Sequence, residues 1–392
     1  MCSEQSEGKY QGFFALLISA FFIYTYNNIF MVVTPVLLVR MGGTDMIVGL
    51  QSTLFLVTAV ILRFFFGPLA DMYGRRFVMI LGSVSFLLAA VMLFYAAEIW
   101  QIIVLRLVQA IGLASYFPAA SATAATFAGN GQKGTYIGAL RVVASLSLMF
   151  GPAFAFNFIQ NRSLPLFFRC MVLLVLLGMV PIFFISLRED KMPQEKVRNG
   201  INLSQRLNLK LFFQKCPLII GNTFVAALSY GIYMSFATLF INCNSNILNP
   251  GYFFTLFSIG GIIGNIGFGW LSDHFGRLRI TFCTFLSLGS GIILFSILPQ
   301  ASVFFYPAGL FSGAGYFGSI AVLMAWMTEK AESSNRTTAL SLQQNALDFG
   351  IAIGSGVFGI LLVAVNNTAL VYGALGVLYL CYAFFMFSLR RN

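Results

Sequence analysis

Charge is scarce in this chain of 392 residues. Asp, Glu, Lys and Arg together make up only 9% of it, whereas 59% of the residues are hydrophobic. Soluble domains contain about 25% charged residues. So little charge cannot cover a water-exposed surface of this size, which excludes a chain of soluble globular domains. The composition therefore indicates a membrane protein.

Residues that carry metal or nucleophilic chemistry are equally scarce. The one histidine, His274, has no Ser/Asp or Cys partner in a catalytic pattern, and no glycine loop followed by Lys-Ser or Lys-Thr could hold a phosphate. The six cysteines are scattered singly, without metal-ligand spacing. We expect no enzyme, no ATP-driven pump, no cofactor and no metal site.

What the chain has instead is a series of apolar stretches. A helix needs about 20 apolar residues to cross a bilayer. Twelve stretches approach or exceed that length, which predicts an all-α integral membrane fold with twelve transmembrane helices. They run from 13–38, 47–68, 77–97, 100–125, 136–160 and 166–187 to 218–241, 252–271, 279–298, 302–327, 337–364 and 368–389.

The basic residues indicate how the chain is oriented. A formal charge of +11 would suit a nucleic-acid partner, but the alternation of loops places nearly all loop Lys and Arg residues on one side, with only Arg40 and Arg162 on the other. By the positive-inside rule, that side is cytoplasmic. We expect a multi-pass protein of a bacterial inner or cell membrane with both termini in the cytoplasm, and no nucleic-acid partner.

The longest polar break divides the chain into halves. Residues 188–217 are rich in basic residues and separate spans six and seven. The prediction is an N-terminal six-helix bundle over 1–187, a cytoplasmic linker over 188–217 and a C-terminal six-helix bundle over 218–392. Within the linker, 204–213 reads either as a short amphipathic helix on the membrane or as a solvated segment.

Sequence repeats relate the two halves. The turn motif at 67–76, GPLADMYGRR, recurs 202 positions later at 269–279 as GWLSDHFGRLR. At an offset of 203, Gly112 of span four corresponds to Gly315 of span ten, and Gly151 of span five corresponds to Gly354 of span eleven. Shared offsets indicate an internal duplication, which predicts two pseudo-symmetric bundles.

These motifs resemble those of the major facilitator superfamily over the whole chain. The 67–76 motif is similar to the family's motif A, with Met72 where a basic residue is common. The resemblance implies that both copies form conformational gates that break as the halves rock; the alternative is a polar turn whose arginines only fix topology. The gate residues would be Gly67, Asp71, Gly74, Arg75 and Arg76, and then Gly269, Asp273, Gly276 and Arg277.

Two further motifs bear on the mechanism. Arg106 in span four lies in a pattern similar to motif B, which implies an influence on proton coupling; alternatively, it snorkels to the outer headgroups. Gly138, Ser147, Gly151 and Pro152 in span five resemble motif C, which is associated with antiporters, although Ser147 replaces a glycine. Plain close packing of small residues would also explain that spacing.

Asp348 is the only acidic residue deep in any span, about 18 Å from Arg336 at 1.5 Å per residue. Its carboxyl either carries a proton during transport, pairs with Arg141 or Arg106, or binds the substrate. Other polar residues within spans suggest a substrate cavity, although interhelical hydrogen bonds are the commoner role of such groups. The cavity candidates are Arg141, Asn27, Asn28, Gln344, Asn345 and Tyr230.

These expectations define a function. The resemblance implies a secondary transporter that works by alternating access, as a monomer in the lipid bilayer. The favoured interpretation is proton-coupled efflux, or antiport, of a small organic molecule, and the excess of arginines within spans suggests that it is anionic or zwitterionic. The alternative is a proton-coupled uptake symporter for a sugar or carboxylate. A non-transporting sensor would need an output domain that the short loops do not provide.

Overall fold

A computed structural model describes residues 2–127, 133–161, 164–185, 216–330, 336–365 and 367–388. Twelve long helices lie in these ranges, and each contains a stretch long and apolar enough to span a membrane. The predicted all-helical, twelve-span fold is confirmed. The helices are α1 Cys2–Arg40, α2 Asp45–Tyr73, α3 Arg75–Met92, α4 Ile99–Phe127, α5 Lys133–Asn161, α6 Leu164–Met179, α7 Pro217–Asn244, α8 Tyr252–Phe275, α9 Arg277–Ser296, α10 Phe305–Lys330, α11 Arg336–Val365 and α12 Thr368–Ser388.

Prolines lie inside four of the helices, at Pro35, Pro68, Pro118 and Pro152. Each removes one backbone donor, but a transmembrane helix tolerates the loss because neighbouring helices satisfy the freed carbonyl. Helices therefore continue through them. Of the predicted linker 188–217, only Cys216 and Pro217 fall in the described ranges, and the 204–213 segment lies outside them.

Each of the two turn motifs contains a glycine with positive φ. Gly74 joins α2 to α3 with φ of 94°, and Gly276 joins α8 to α9 with φ of 91°. Only glycine adopts this conformation without steric cost. In both motifs the glycine thus lets one long helix follow another after a single non-helical residue.

The chain groups into two compact units. The first contains Met1–Phe30 and Leu54–Asn202, and the second contains Met31–Thr53 and Leu203–Asn392. The ends of α1 and α2 that flank Gly42 therefore belong with the second unit. The proposed bundle boundaries at 187 and 218 stay a prediction.

Equivalent glycines mediate equivalent helix contacts in the two units. A Cβ built on Gly112 of α4 would lie 2.7 Å from the Phe86 ring of α3, while one on Gly315 of α10 would overlap Leu288 of α9. Residues 86 and 288 are themselves 202 positions apart. The repeat therefore conserves which helices pack together, not only their sequence.

The same holds for a second pair of helices. A Cβ on Gly151 of α5 would lie 3.4 Å from Thr25 of α1, and one on Gly354 of α11 would overlap Leu228 of α7. Thr25 and Leu228 are 203 positions apart, like the two glycines. Small residues let these backbones approach closely, which is the usual basis of helix association in lipid.

Gly350 offers a test of this packing. In the variant Gly350→Ala, the new Cβ would lie 2.6 Å from both Ala227 Cβ and the Phe224 carbonyl oxygen on α7. Overpacking costs about 1–3 kcal/mol, more than the gain of about 1 kcal/mol from replacing a helical glycine by alanine. We expect the melting temperature of the purified protein to fall by at least about 2 °C.

Gly373→Ala in α12 is the matched control. The nearest atoms to its new Cβ, Ser296 Oγ and Cβ, would lie at 3.5 and 3.8 Å, which is ordinary contact. This variant should melt at or above the wild-type temperature. Equal melting temperatures for the two variants would contradict close packing of α7 on α11.

Candidate functional site

Arg106 lies at the centre of a buried polar cluster in the first unit. Its side chain is 1% exposed, and its Nη1 donates a 2.5 Å hydrogen bond to Gln109 Oε1 one turn along α4. Its Cζ lies 3.7 Å above the centroid of the Phe55 ring, on α2. Tyr26 of α1 lies close enough to interact with the guanidinium charge. Three helices therefore meet at this cation.

These contacts explain how an arginine is tolerated here. A guanidinium at the centre of a membrane helix costs about 2.5–3.5 kcal/mol on insertion scales. A hydrogen bond to a charged group contributes about 1.5–3 kcal/mol, and a desolvated cation–π contact about 2 kcal/mol. The two terms together offset the cost. Burial inside the unit also leaves no role for snorkelling at this residue.

The Arg106 cluster has spare hydrogen-bonding capacity. The Gln109 side chain also lies beside the Tyr26 hydroxyl. Neither Tyr26 Oη nor Gln109 Nε2, however, forms a hydrogen bond of normal geometry with any of the described residues. Gln109 Nε2 can only donate, and the hydroxyl can donate. The cluster is therefore rich in donors around a fixed positive charge.

Arg141, on α5, interacts with a different face of α1. Its exposed side chain interacts with Tyr24, while Asn28 Nδ2 donates a 2.8 Å hydrogen bond to Ser147 Oγ on α5. Tyr24 and Tyr26, two residues apart, point about 200° apart around a helix. The structure thus separates Arg106 from Arg141, the two arginines that the sequence suggests as partners of Asp348. Asn27 is buried, and its Oδ1 has no hydrogen-bond partner among the described residues.

Asp348 lies on α11 in the second unit. Its side chain is 5% exposed, and Gln344 Nε2 donates to its Oδ1 over 3.4 Å. Gln344 itself is exposed and Asn345 is half-buried. The carboxyl and the two arginines belong to different units, so the suggested pairing of Asp348 with Arg106 or Arg141 stays a prediction.

Tyr230 lies in an aromatic cluster of the second unit. Its ring stacks on Tyr316 of α10 at 4.5 Å between centroids with an interplanar angle of 14°. Phe257 and Phe317 lie 6.1 and 6.4 Å away. Tyr230 is only partly buried, so one side of this aromatic surface remains available to a planar apolar group.

The first turn motif is held by backbone acceptors. Arg75 Nη1 donates to the carbonyl oxygen of Ala122 on α4 at 3.1 Å, and Arg76 Nη2 donates to that of Phe183 at 2.8 Å. The Arg76 guanidinium also lies 5.8 Å above the Phe183 ring. The side chain of Asp71 is outside what the structure describes.

The second turn motif is held by an ion-pair network. Arg277 Nη2 lies 2.6 Å from Asp273 Oδ1 and 2.5 Å from Glu329 Oε1, and its Nη1 also donates to Ser272 Oγ. Glu329 is on α10, so this network joins the α8–α9 turn to a third helix. Arg277 thus connects the second turn motif to α10 through a carboxylate.

Not every small residue of these motifs packs against a neighbouring helix. Among the described residues, no atom of a neighbouring helix lies within 4 Å of a Cβ built on Gly67, Gly138 or Gly269. Gly67 is exposed. A glycine in a sequence shows that close approach is possible, whereas the helix partner decides whether it happens; Gly151 has such a partner and Gly67 has none among the described residues.

Several contacting residues carried weak sequence signals or none. Gln109 and Gln343 are polar residues within spans, but the sequence assigns no role to them. Glu329 is recognisable only as an acidic residue at the end of α10. Tyr26 and Phe55 look like ordinary apolar-span aromatics. Only the tertiary packing reveals that these two surround Arg106.

Twelve helices long and apolar enough to span a membrane, with an internal sequence repeat and buried polar clusters, are typical of a secondary membrane transporter. The family model of the Major Facilitator Superfamily matches residues 16–248 and 219–392. The chain belongs to this superfamily, so the family predicted from its motifs is confirmed.

Distant relatives include efflux proteins. The chain is 25% identical over 264 residues to multidrug resistance protein MdtG of Proteus mirabilis; the match covers 64% of this chain and 62% of that protein, under two thirds of its length. It is 21% identical to a multi-drug resistance efflux pump PmrA homolog of Lactococcus lactis, over 74% of this chain and 72% of the relative. It is 23% identical to a probable 4-methylmuconolactone transporter of Cupriavidus pinatubonensis, over 84% and 77%.

Solved structures share the fold at low identity. The nucleoside transporter NupG superposes with a TM-score of 0.76 at 10% identity, covering 96% of this chain and all of NupG. A D-xylose–proton symporter gives 0.75 at 14% identity, over 96% and 97%. At such identities the likeness establishes the architecture alone.

The Arg277–Glu329 pair is open to a direct test. The Glu329 side chain is 53% exposed. Because water therefore screens the ion pair, the coupling energy between its two side chains should be about 0.5–1 kcal/mol. A double-mutant cycle with Arg277→Gln and Glu329→Gln, read from unfolding of the purified protein, measures this energy. The coupling should shrink in 1 M salt.

Arg279, exposed two residues further on, supplies the control. The cycle of Arg279→Gln with Glu329→Gln should give a coupling near zero. Equal couplings for Arg277 and Arg279 would mean that Glu329 responds to general positive charge and has no specific partner.

Proposed function

We propose that the chain exports a small organic molecule, anionic or zwitterionic, in exchange for protons by alternating access. The observation that carries the proposal is Asp348, the only acidic residue deep in a span, whose carboxyl is 5% exposed on α11. The relative described as a multi-drug resistance efflux pump supports the outward direction.

Asp348 is the proposed proton carrier. A carboxyl in an apolar interior can be neutralised by a proton as well as by a cation, so a change in its surroundings moves a proton on or off. Gln344, which is itself exposed and donates to Asp348 Oδ1, connects the carboxyl to those surroundings. Arg106 is the proposed second coupling residue, because its fixed charge lies among three helices that must move for access to alternate.

Polar groups of each unit are proposed as substrate-binding candidates. In the first unit these are Arg141, Asn27 and Asn28; in the second they are Gln344, Asn345 and Tyr230. The positive charge of Arg141 and the donor-rich surroundings of Arg106 favour an acidic group on the substrate. The aromatic surface at Tyr230 favours an apolar part.

The turn motifs are the proposed conformational gates, on the cytoplasmic side with both termini. Arg75 and Arg76 would release carbonyl oxygens when the gate opens, whereas Arg277 would release Glu329. Gly138 and Pro152 of α5 are proposed as helix-packing residues. The proposed bundles cover 1–187 and 218–392, and the proposed transporter is a monomer.

A proton-coupled uptake symporter for a sugar or carboxylate is the second candidate. The relative described as a probable 4-methylmuconolactone transporter covers more of this chain than the multidrug proteins do. Ser147, which accepts a hydrogen bond from Asn28 where motif C has a glycine, also weakens the antiporter signature.

The direction of transport separates the two candidates. In everted vesicles with an acidified interior, adding an exported substrate to the outside should release protons and collapse the pH gradient, which a pH-sensitive dye reports. We expect this response from at least one member of a panel of small organic acids and amino-acid-like zwitterions. Vesicles without the protein give the baseline. Accumulation of the same compound in right-side-out vesicles under an inward proton gradient would rule out efflux.

Asp348→Asn tests the proton carrier. The amide keeps the shape of the side chain but cannot bind or release a proton, so coupled accumulation should fall at least about tenfold while substrate–substrate exchange continues in part. Asn345→Asp, one turn earlier on α11, serves as a comparison in which the native carboxyl is kept. An unchanged pH dependence of transport in Asp348→Asn would remove Asp348 from the mechanism.

A further inference from the structure

A small cavity lies within the second unit, between α7, α10 and α11. Its polar lining consists of Thr223, Gln343 and Gln344, and its apolar lining includes Ile320, Met324 and Leu347. The cavity is partly open, and its space suits a group of roughly the size of one water molecule. No charged side chain is among the lining residues, so the cavity is built for neutral chemistry.

Gln343 is the residue that gives the cavity a hydrogen-bonding specificity. It is 3% exposed, and its Nε2 donates a 3.1 Å hydrogen bond to Thr223 Oγ1. Thr223 Oγ1 in turn donates to the carbonyl oxygen of Ile219 at 2.8 Å. Since the one hydroxyl proton of Thr223 is used there, the amide nitrogen of Gln343 is the atom that must face Thr223.

The opposite atom of the same amide is left without a partner. Gln343 Oε1 is buried and accepts no hydrogen bond from the described residues. A buried acceptor left unpaired costs about 1–3 kcal/mol, so a ligand that donates to it gains affinity. A cation would meet only neutral and apolar lining and would pay its desolvation without an ion pair. The matching ligand group is a neutral hydroxyl or amide N–H.

Gln344 connects this cavity to Asp348. Its side chain lines the cavity, and its Nε2 donates to Asp348 Oδ1 at 3.4 Å, a long and weak hydrogen bond. A ligand group that enters the cavity therefore contacts the residue that borders the carboxyl.

We propose that this cavity is a subsite that binds a neutral hydroxyl or amide N–H group of the transported molecule, which donates its hydrogen bond to Gln343 Oε1. The subsite rests on the proposed transport function. It adds a structural requirement on the substrate: besides any acidic group, the molecule carries a neutral hydrogen-bond donor.

Matched probe pairs test the subsite. The full-length protein in lipid nanodiscs is titrated with benzamide and with N,N-dimethylbenzamide, which has the same ring and carbonyl but no N–H, and binding is followed by saturation-transfer NMR. One neutral hydrogen bond to a buried acceptor should make benzamide bind about tenfold more tightly. Benzyl alcohol and benzyl methyl ether form a second pair of this kind. The alcohol, which carries the hydrogen-bond donor, should bind more tightly than the ether by a similar factor.

Gln343→Met removes the acceptor with little change in side-chain size. In this variant the two amides should bind with equal affinity, whereas Gln300→Met, at an exposed position, should keep the wild-type ratio. Equal binding or no saturable binding of both pairs in the wild type overturns the subsite, and so does a ratio retained by Gln343→Met.

The vesicle experiments are independent of this measurement. A donor preference without any proton exchange would leave the subsite standing as a binding site and reject the efflux function. Proton exchange with no donor preference would reject the subsite alone.

Discussion

Lipid offers no hydrogen-bond partner to a peptide group, and the rest of this structure depends on that constraint. Each chain segment inside the membrane must satisfy its own backbone, which leaves the helix as the solution for a chain of single spans. The same constraint applies to side chains. A polar group within a span needs a partner on a neighbouring helix, and the choice of partner decides whether it is structural or functional.

The hydrogen-bond partners of individual residues distinguish structural from functional polar groups. Asn222 donates to the carbonyl oxygen of Leu218 within α7 and accepts from the Tyr382 hydroxyl of α12, so both polar atoms of its amide have partners. Gln343 is similarly buried, but the oxygen of its amide has no partner among the described residues. Both residues are amides within spans. Only the second retains capacity for a ligand, and this is why the further subsite was assigned to it.

The helices and their order were predictable because hydrophobic length and turn glycines are local properties. Gly74 and Gly276 mark their turns in the sequence itself. Which face a helix buries is not local: Gly67 and Gly151 look alike in sequence, yet only Gly151 has a packed partner. The surroundings of Arg106 could not be predicted from the sequence either, because Tyr26, Phe55 and Arg106 come from three helices and no motif connects them.

The duplication explains the shared architecture but not the chemistry of the two turn motifs. At the offset of 203 that relates α4 to α10, Glu329 corresponds to Thr126, whose hydroxyl bonds within its own helix to the Thr123 carbonyl oxygen. Arg277 binds the Glu329 carboxylate of α10, and Arg75 donates to the Ala122 carbonyl oxygen of α4. An ion pair weakens with salt. The contact between the second turn motif and α10 therefore depends on ionic strength, a property that the duplication by itself does not determine.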